Sequence, residues 1–137
     1  MSELTPINEP NPALLDVRVV EGPDDVAVLE AEGELDLSSA AELRGPLFDR
    51  VEGGLRIVLD LSKVSFIDSS GIAVLVHAHR ATNGGLASNG AGPALHTVIA
   101  PGSQVARVFE LATLDRAMPT FADREEAISR LTGTASG

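Results

Sequence analysis

Apolar and polar positions fall into blocks whose period changes along the chain. Residues 14–20 and 26–31 are β-like runs separated by Gly22-Pro23-Asp24-Asp25. Those turn residues between two such runs predict a hairpin. From Ser39 the period lengthens. Leu43, Leu47 and Val51 recur every four positions, and Ser39 with Glu42 has capping-box spacing, which predicts a helix closed by Gly53-Gly54. Pro46 falls inside it. Proline removes one backbone bond and clashes with the preceding turn, so a kink or an early stop is expected there. Residues 56–61 hold the continuous apolar core Ile57-Val58-Leu59, which suits a strand covered on both faces. Ile72, Leu75, Val76 and His79 lie at helical spacing, and Asn83-Gly84 closes that helix. Further along, the pattern predicts a strand over 96–100. Ser103 then caps a helix with Val105, Val108, Phe109 and Ala112 inward. A short edge strand over 117–121 follows, and Asp123 caps a last helix with Ala127, Ile128 and Leu131 inward.

A hairpin followed by repeated helix-strand units predicts the α/β class: a mostly parallel sheet covered by helices. The 137 residues make most simply one domain, placed at 13–132. The proline-rich residues 1–12 and the small, polar residues 133–137 are expected to be disordered tails. Parallel strands put their C-terminal ends at one pole, where ligands and partners meet such sheets. Loops 33–39, 64–70 and 101–103 belong to that pole. The glycine-rich loop 84–94 belongs to the other.

Charge narrows the partners. The net charge is −10, and only 10 Lys and Arg are scattered along the chain. Nucleic-acid binding needs a basic footprint, and so does docking on an anionic membrane surface. Neither is expected. There is no cysteine, so disulfides and thiolate zinc sites are excluded. No apolar run reaches membrane-spanning length, and no basic segment precedes a long apolar one, so a cytoplasmic protein is expected.

Candidate chemistry concentrates in VSFIDSSG, residues 64–71, where a strand hands over to a helix. A serine nucleophile would need a base within reach and an oxyanion hole. The hydrolase elbow G-x-S-x-G has Ile67 in place of its first glycine. His77 and His79 lie two turns or more from the serines, and His96 stands near the start of a strand, at the other pole. No catalytic residue is assigned. No histidine pair or calcium loop has metal-ligand spacing, and no phosphate-binding glycine loop is present, so no metal or cofactor is expected. Asp60 could suggest a phospho-aspartate, but the sole lysine, Lys63, follows it too closely to come from another strand's end. A helix cap needs only one of Asp68, Ser69 and Ser70. A serine as a modification target accounts for more of the motif. Its phosphate would carry about −1.5 to −2 charges beside Asp68, near free N–H groups and the positive helix end.

The segments GELDLSSA (33–40), IVLDLSKVSFIDSSGIAVL (57–75) and APGSQVARVFELATL (100–114) resemble the STAS domain in order and spacing. They are most similar to its stand-alone bacterial members, the anti-sigma factor antagonists. The resemblance covers roughly residues 14–132. It implies a STAS-type fold and a binding protein rather than an enzyme. Such an antagonist binds an anti-sigma factor and so releases a sigma factor. The anti-sigma factor is a serine kinase of the histidine-kinase-like ATPase type, which carries the nucleotide. It phosphorylates the first serine after the aspartate and ends the complex, and a serine phosphatase resets the switch. By position the acceptor is Ser69. Asp68 and Ser70 flank it, Gly71 lets the backbone approach the partner, Asp36 matches a position important for the kinase interaction, and Ser103 completes the partner-binding set. The alternatives are Ser70 as acceptor, or a constitutive STAS scaffold or transport-complex subunit without a phospho-switch.

Overall fold

Strands β1 (Leu15–Glu21) and β2 (Val26–Leu35) pair antiparallel. Helix α1 (Ala40–Glu52), strand β3 (Arg56–Ile67), helix α2 (Ser69–Asn83) and strand β4 (Ala94–Val98) follow. Helices α3 (Gln104–Leu111) and α4 (Leu114–Ala117), strand β5 (Thr120–Phe121) and helix α5 (Arg124–Thr132) complete the order. The computed structural model describes residues 15–23, 26–83 and 94–132. The predicted tails, most of the loop 84–94, and Leu14, Asp24 and Asp25 lie outside the described residues.

The sheet order is β1-β2-β3-β4-β5, with every neighbouring pair after the hairpin parallel. This is the predicted α/β architecture. Period-two alternation splits each strand between two faces. Leu29, Ala31, Ile57, Leu59 and Leu95 join Leu43 and Leu47 of α1, Leu75 of α2 and Phe109 of α3 in the main core. Val26, Val28, Val58 and Val98 meet Ala127 and Leu131 of α5 on the opposite face. Among the described residues no helix is long and apolar enough to cross a membrane.

Four local expectations change. Helix α1 runs from Ala40 to Glu52 through Pro46. The residue before proline normally meets the ring with its Cβ, and here it is Gly45, which has none. The freed carbonyl of Glu42 lies on an exposed turn, where water can serve it. Ser39 forms no capping bond to α1. Its hydroxyl donates instead to the Glu34 carbonyl at 2.6 Å and accepts from the Asp36 amide at 3.0 Å. Ala112 is exposed, and it ends α3 rather than facing the core. The edge strand predicted over 117–121 is confined to Thr120–Phe121, because Ala117 ends the short helix α4.

The larger difference concerns strand length. Both β2 and β3 extend well past the predicted ends and pair as far as Leu35↔Ile67, with register shifts at Glu30/Glu32 and Gly33/Glu34. Gly33 takes φ 123° at the second shift, a conformation that essentially only glycine tolerates. The apolar lead-in of the motif is therefore strand, with Val64 and Ile67 buried and Ser65 and Phe66 outward.

Asp60 is no phosphate acceptor in an open acidic pocket. Arg124 of α5 donates to its Oδ2 through Nε at 3.0 Å and Nη2 at 2.9 Å. The same Nη2 reaches Oε2 of Glu30, the register partner of Asp60, at 2.6 Å. The Ser62 hydroxyl and amide donate to Oδ1 of Asp60 at 2.6 and 2.9 Å. Burial raises the Asp60 pKa, but the Ser62 bonds and Arg124 outweigh it and hold the carboxyl below its ordinary value. Glu30 is lowered first by its bond from Arg124.

Candidate functional site

Strands β2 and β3 end side by side at Leu35 and Ile67. Their continuations carry Asp36 and Asp68, and the Asp68 amide donates to the Leu35 carbonyl at 3.2 Å. This single bond places the two predicted acidic segments together.

Each aspartate organises its own turn. Oδ1 of Asp36 accepts from the Ser38 amide at 2.9 Å and hydroxyl at 2.8 Å, and from the Ser39 amide at 3.2 Å. The bond from the Ser38 hydroxyl is the largest cause of a lowered Asp36 pKa, so this half-buried group stays charged. Asp68 settles which residue caps α2. Its Oδ1 accepts from the Ser70 amide at 2.8 Å and the Gly71 amide at 3.3 Å, two of the donors that a helix start leaves unpaired.

Ser69 is the first residue of α2 and is exposed. Its hydroxyl has no hydrogen-bond partner among the described residues, and no histidine or carboxylate stands as its base. Ser70 is half-buried. The N–H groups expected to be free for a phosphate at Ser69 are those of Ser70 and Gly71, which Asp68 already holds. A phosphate there would reach those two amides only if Asp68 gave up the cap.

Gly71 has an internal duty. A Cβ there would lie 2.6 Å from Leu35 Cγ, 2.9 Å from Ile67 Cγ1 and 3.0 Å from the Leu35 carbonyl oxygen. The close approach it permits is that of α2 to β2 and β3 of the same chain. Gly71→Ala should lower stability by about 1–3 kcal/mol through overpacking, against a helix-propensity gain of at most about 1 kcal/mol. Urea unfolding measures this, and an unchanged midpoint would mean that α2 shifts without resistance.

Ser103 caps α3. Its hydroxyl accepts from the Ala106 amide at 3.1 Å and donates to the Ala100 carbonyl at 2.7 Å, so its polar capacity is largely used internally. Of the predicted site residues it alone lines the cavity of about 680 Å³ bounded also by Arg107, Phe109 and Phe121. Gln104 also lines that cavity, whereas Ser69 does not. Two exposed apolar side chains flank the acidic pole: Leu37, 80 % exposed, in the Asp36 turn, and Phe66, 39 % exposed, near the end of β3. Among the described residues no group of three histidine, aspartate or glutamate side chains could hold a metal ion.

Gln104 escaped the sequence reading. Its Oε1 accepts from the Ile67 amide at 2.9 Å, and its Nε2 donates to the Ile67 carbonyl at 3.1 Å. Nothing in the local pattern signals a contact across 37 residues.

Known proteins share this fold. The chain superposes on an anti-sigma factor antagonist from Mycobacterium paratuberculosis with a TM-score of 0.74, at 24 % identity over 89 % of this chain and 97 % of that one. For TM1081 of Thermotoga maritima the TM-score is 0.69, at 27 % identity over 86 % and 94 %. For the Bacillus anti-sigma factor antagonist SpoIIAA in its unphosphorylated form it is 0.67, at 25 % identity over 88 % and 100 %. The sequence model of the STAS domain matches residues 18–127, which span most of the hairpin, the Asp36 and Asp68 turns and the start of α5, and the chain belongs to the STAS domain family.

Proposed function

We propose that this protein is an anti-sigma factor antagonist that docks an anti-sigma factor through the pole carrying Asp36, Asp68, Ser69, Ser70 and Leu37, and that phosphorylation of Ser69 ends the complex. The observation that carries this reading is the Ser69 hydroxyl, exposed and unpartnered on the first residue of a helix already capped by Asp68. The partner is a serine kinase that brings the nucleotide, a serine phosphatase restores the hydroxyl, and the circuit operates in the cytoplasm. Ser69 is favoured over Ser70 as acceptor because it is the more exposed of the two. Gly71 supports the surface from behind by seating α2 against β2 and β3, and Ser103 is carried as a further partner-binding residue. SpoIIAA, 25 % identical, is an antagonist with solved structures in phosphorylated and unphosphorylated forms.

The chemical logic is a change of surface. A neutral hydroxyl fits an interface, whereas a phosphate beside Asp68 must be desolvated together with an existing negative charge. The test is capture from host lysate on immobilised wild type, Ser69→Ala and Ser69→Asp. Wild type and Ser69→Ala should retain an ATPase-fold kinase and Ser69→Asp should lose it. Intact mass should show one phosphate on wild type only. Equal retention on all three baits, with no phosphate, would instead make the motif a helix cap on a constitutive scaffold.

A further inference from the structure

We propose that Gln104 is a positioning residue for phosphate transfer to Ser69. The inference rests on Ser69 being the acceptor. β3 outruns its neighbour on one side: pairing with β4 stops at Asp60↔Val98, whereas pairing with β2 continues to Leu35↔Ile67. At Ile67 the β4 side would be left with an unpaired amide and carbonyl. The Gln104 amide fills that place with one acceptor and one donor, at 2.9 and 3.1 Å, and so acts as a one-residue substitute for the missing strand. Gln104 is the first residue of α3, a helix that the neighbouring Ser103 caps.

The next residue in the chain is Asp68, and the one after it is Ser69. Two anchors therefore fix the departure of the acceptor segment from the sheet: Gln104 on Ile67 from one side, and the Leu35 carbonyl on the Asp68 amide from the other. In the transfer, Ser69 Oγ bonds to the terminal phosphorus of a nucleoside triphosphate held by the partner kinase. The bridging oxygen–phosphorus bond breaks and the nucleoside diphosphate leaves. The hydroxyl proton passes to a base on the partner. The chain supplies only the nucleophile and its placement, and in-line displacement is sensitive to placement errors of about 1 Å, which can cost about 100-fold in rate.

The experiment compares wild type, Gln104→Met and Gln104→Glu. Methionine keeps the length and apolar packing but makes neither bond. Amide exchange at Ile67 is read in the free proteins. Phosphorylation of Ser69 is then read by intact mass, using ATP and the kinase fraction eluted from immobilised Ser69→Ala protein, over a range of acceptor concentrations. In Gln104→Met, Ile67 exchange should rise about 10-fold or more and kcat should fall about 10- to 100-fold. KM should stay within about twofold. The carboxylate of Gln104→Glu lacks the donor, whereas its protonated form has both donor and acceptor. Its kcat relative to wild type should therefore climb as the pH is lowered from about 7.5 to about 5.5. A merely structural role would lower the melting temperature but leave kcat of the folded protein unchanged, and that result overturns the proposal. If wild type takes no phosphate on Ser69, the acceptor reading falls and this role with it. If wild type and Gln104→Met are phosphorylated alike, only the role of Gln104 falls.

Discussion

Phosphorylation of Ser69 should weaken binding to the anti-sigma partner about 100-fold or more, while the free protein keeps its fold and nearly all its stability. Like charges brought together at an interface cost several kcal/mol, and 100-fold corresponds to about 2.7 kcal/mol. The charges are on hand. Asp36 and Asp68 are brought together by the Asp68–Leu35 backbone bond, and the pole adds Glu34, exposed beside Phe66 in the register. A phosphate of about −1.5 to −2 enters this acidic surface without access to the Ser70 and Gly71 amides, which Asp68 holds. Its charge is therefore left for the partner interface to desolvate. The fold is spared because the Ser69 side chain is exposed and bonds nothing in the described residues. Ser69→Asp, with one charge and fewer acceptor atoms, should lose only about 10-fold. Calorimetric titration of the purified partner decides it. Equal affinity for the phosphorylated and unmodified forms would sink the repulsion argument even if Ser69 is the acceptor.

Arg124→Ala should cost about 2–4 kcal/mol of stability at neutral pH. Removing one partner of a buried ion pair leaves an uncompensated charge, at about 3–5 kcal/mol for a fully buried pair. The lower range applies here because the Arg124 side chain is 32 % exposed and Asp60 keeps its two bonds from Ser62. Glu30 retains Lys63 at 3.8 Å and Arg18 at 3.5 Å.

The pH dependence follows from the same groups. Glu30 and Asp60 are lowered in the folded protein. Their stabilisation is present above their unfolded pKa values, near 4.3 and 3.9, and is lost as the pH falls through the folded ones. The gap between wild type and Arg124→Ala should thus narrow on acidification. His96 and His79 add an earlier loss. Burial lowers both pKa values, so the unfolded chain takes up protons first as the pH falls below about 6.5. His96 is further held by the Ala127 carbonyl, 3.2 Å from its Nδ1, and lies against the Phe121 ring at 4.9 Å. Chemical unfolding between about pH 2 and pH 8 measures both effects. A wild-type midpoint that is flat across that range would refute the assignment.

Apart from the short α4, the order of elements was legible in the sequence because it depends on local period. Leu43, Leu47 and Val51 mark the buried stripe of α1, and Ile57-Val58-Leu59 marks a strand covered on both faces, whatever the rest of the chain does. The candidate acceptor was legible for the same reason. An acid, two hydroxyls and a glycine at a strand-to-helix junction restrict the choice of cap and of exposed group. What the tertiary structure decided are relations between distant segments. Strand ends depend on a neighbour to pair with, so residues 64–67 became strand only because β2 runs beside them. Gly71 serves the approach to Leu35, and Asp60 serves Arg124, each across a gap in sequence that no local pattern encodes. Gln104 is the extreme case. An amide at the start of a helix is ordinary in one dimension, and it reaches Ile67, two residues before the candidate acceptor, only where folding leaves that residue without a strand on one side.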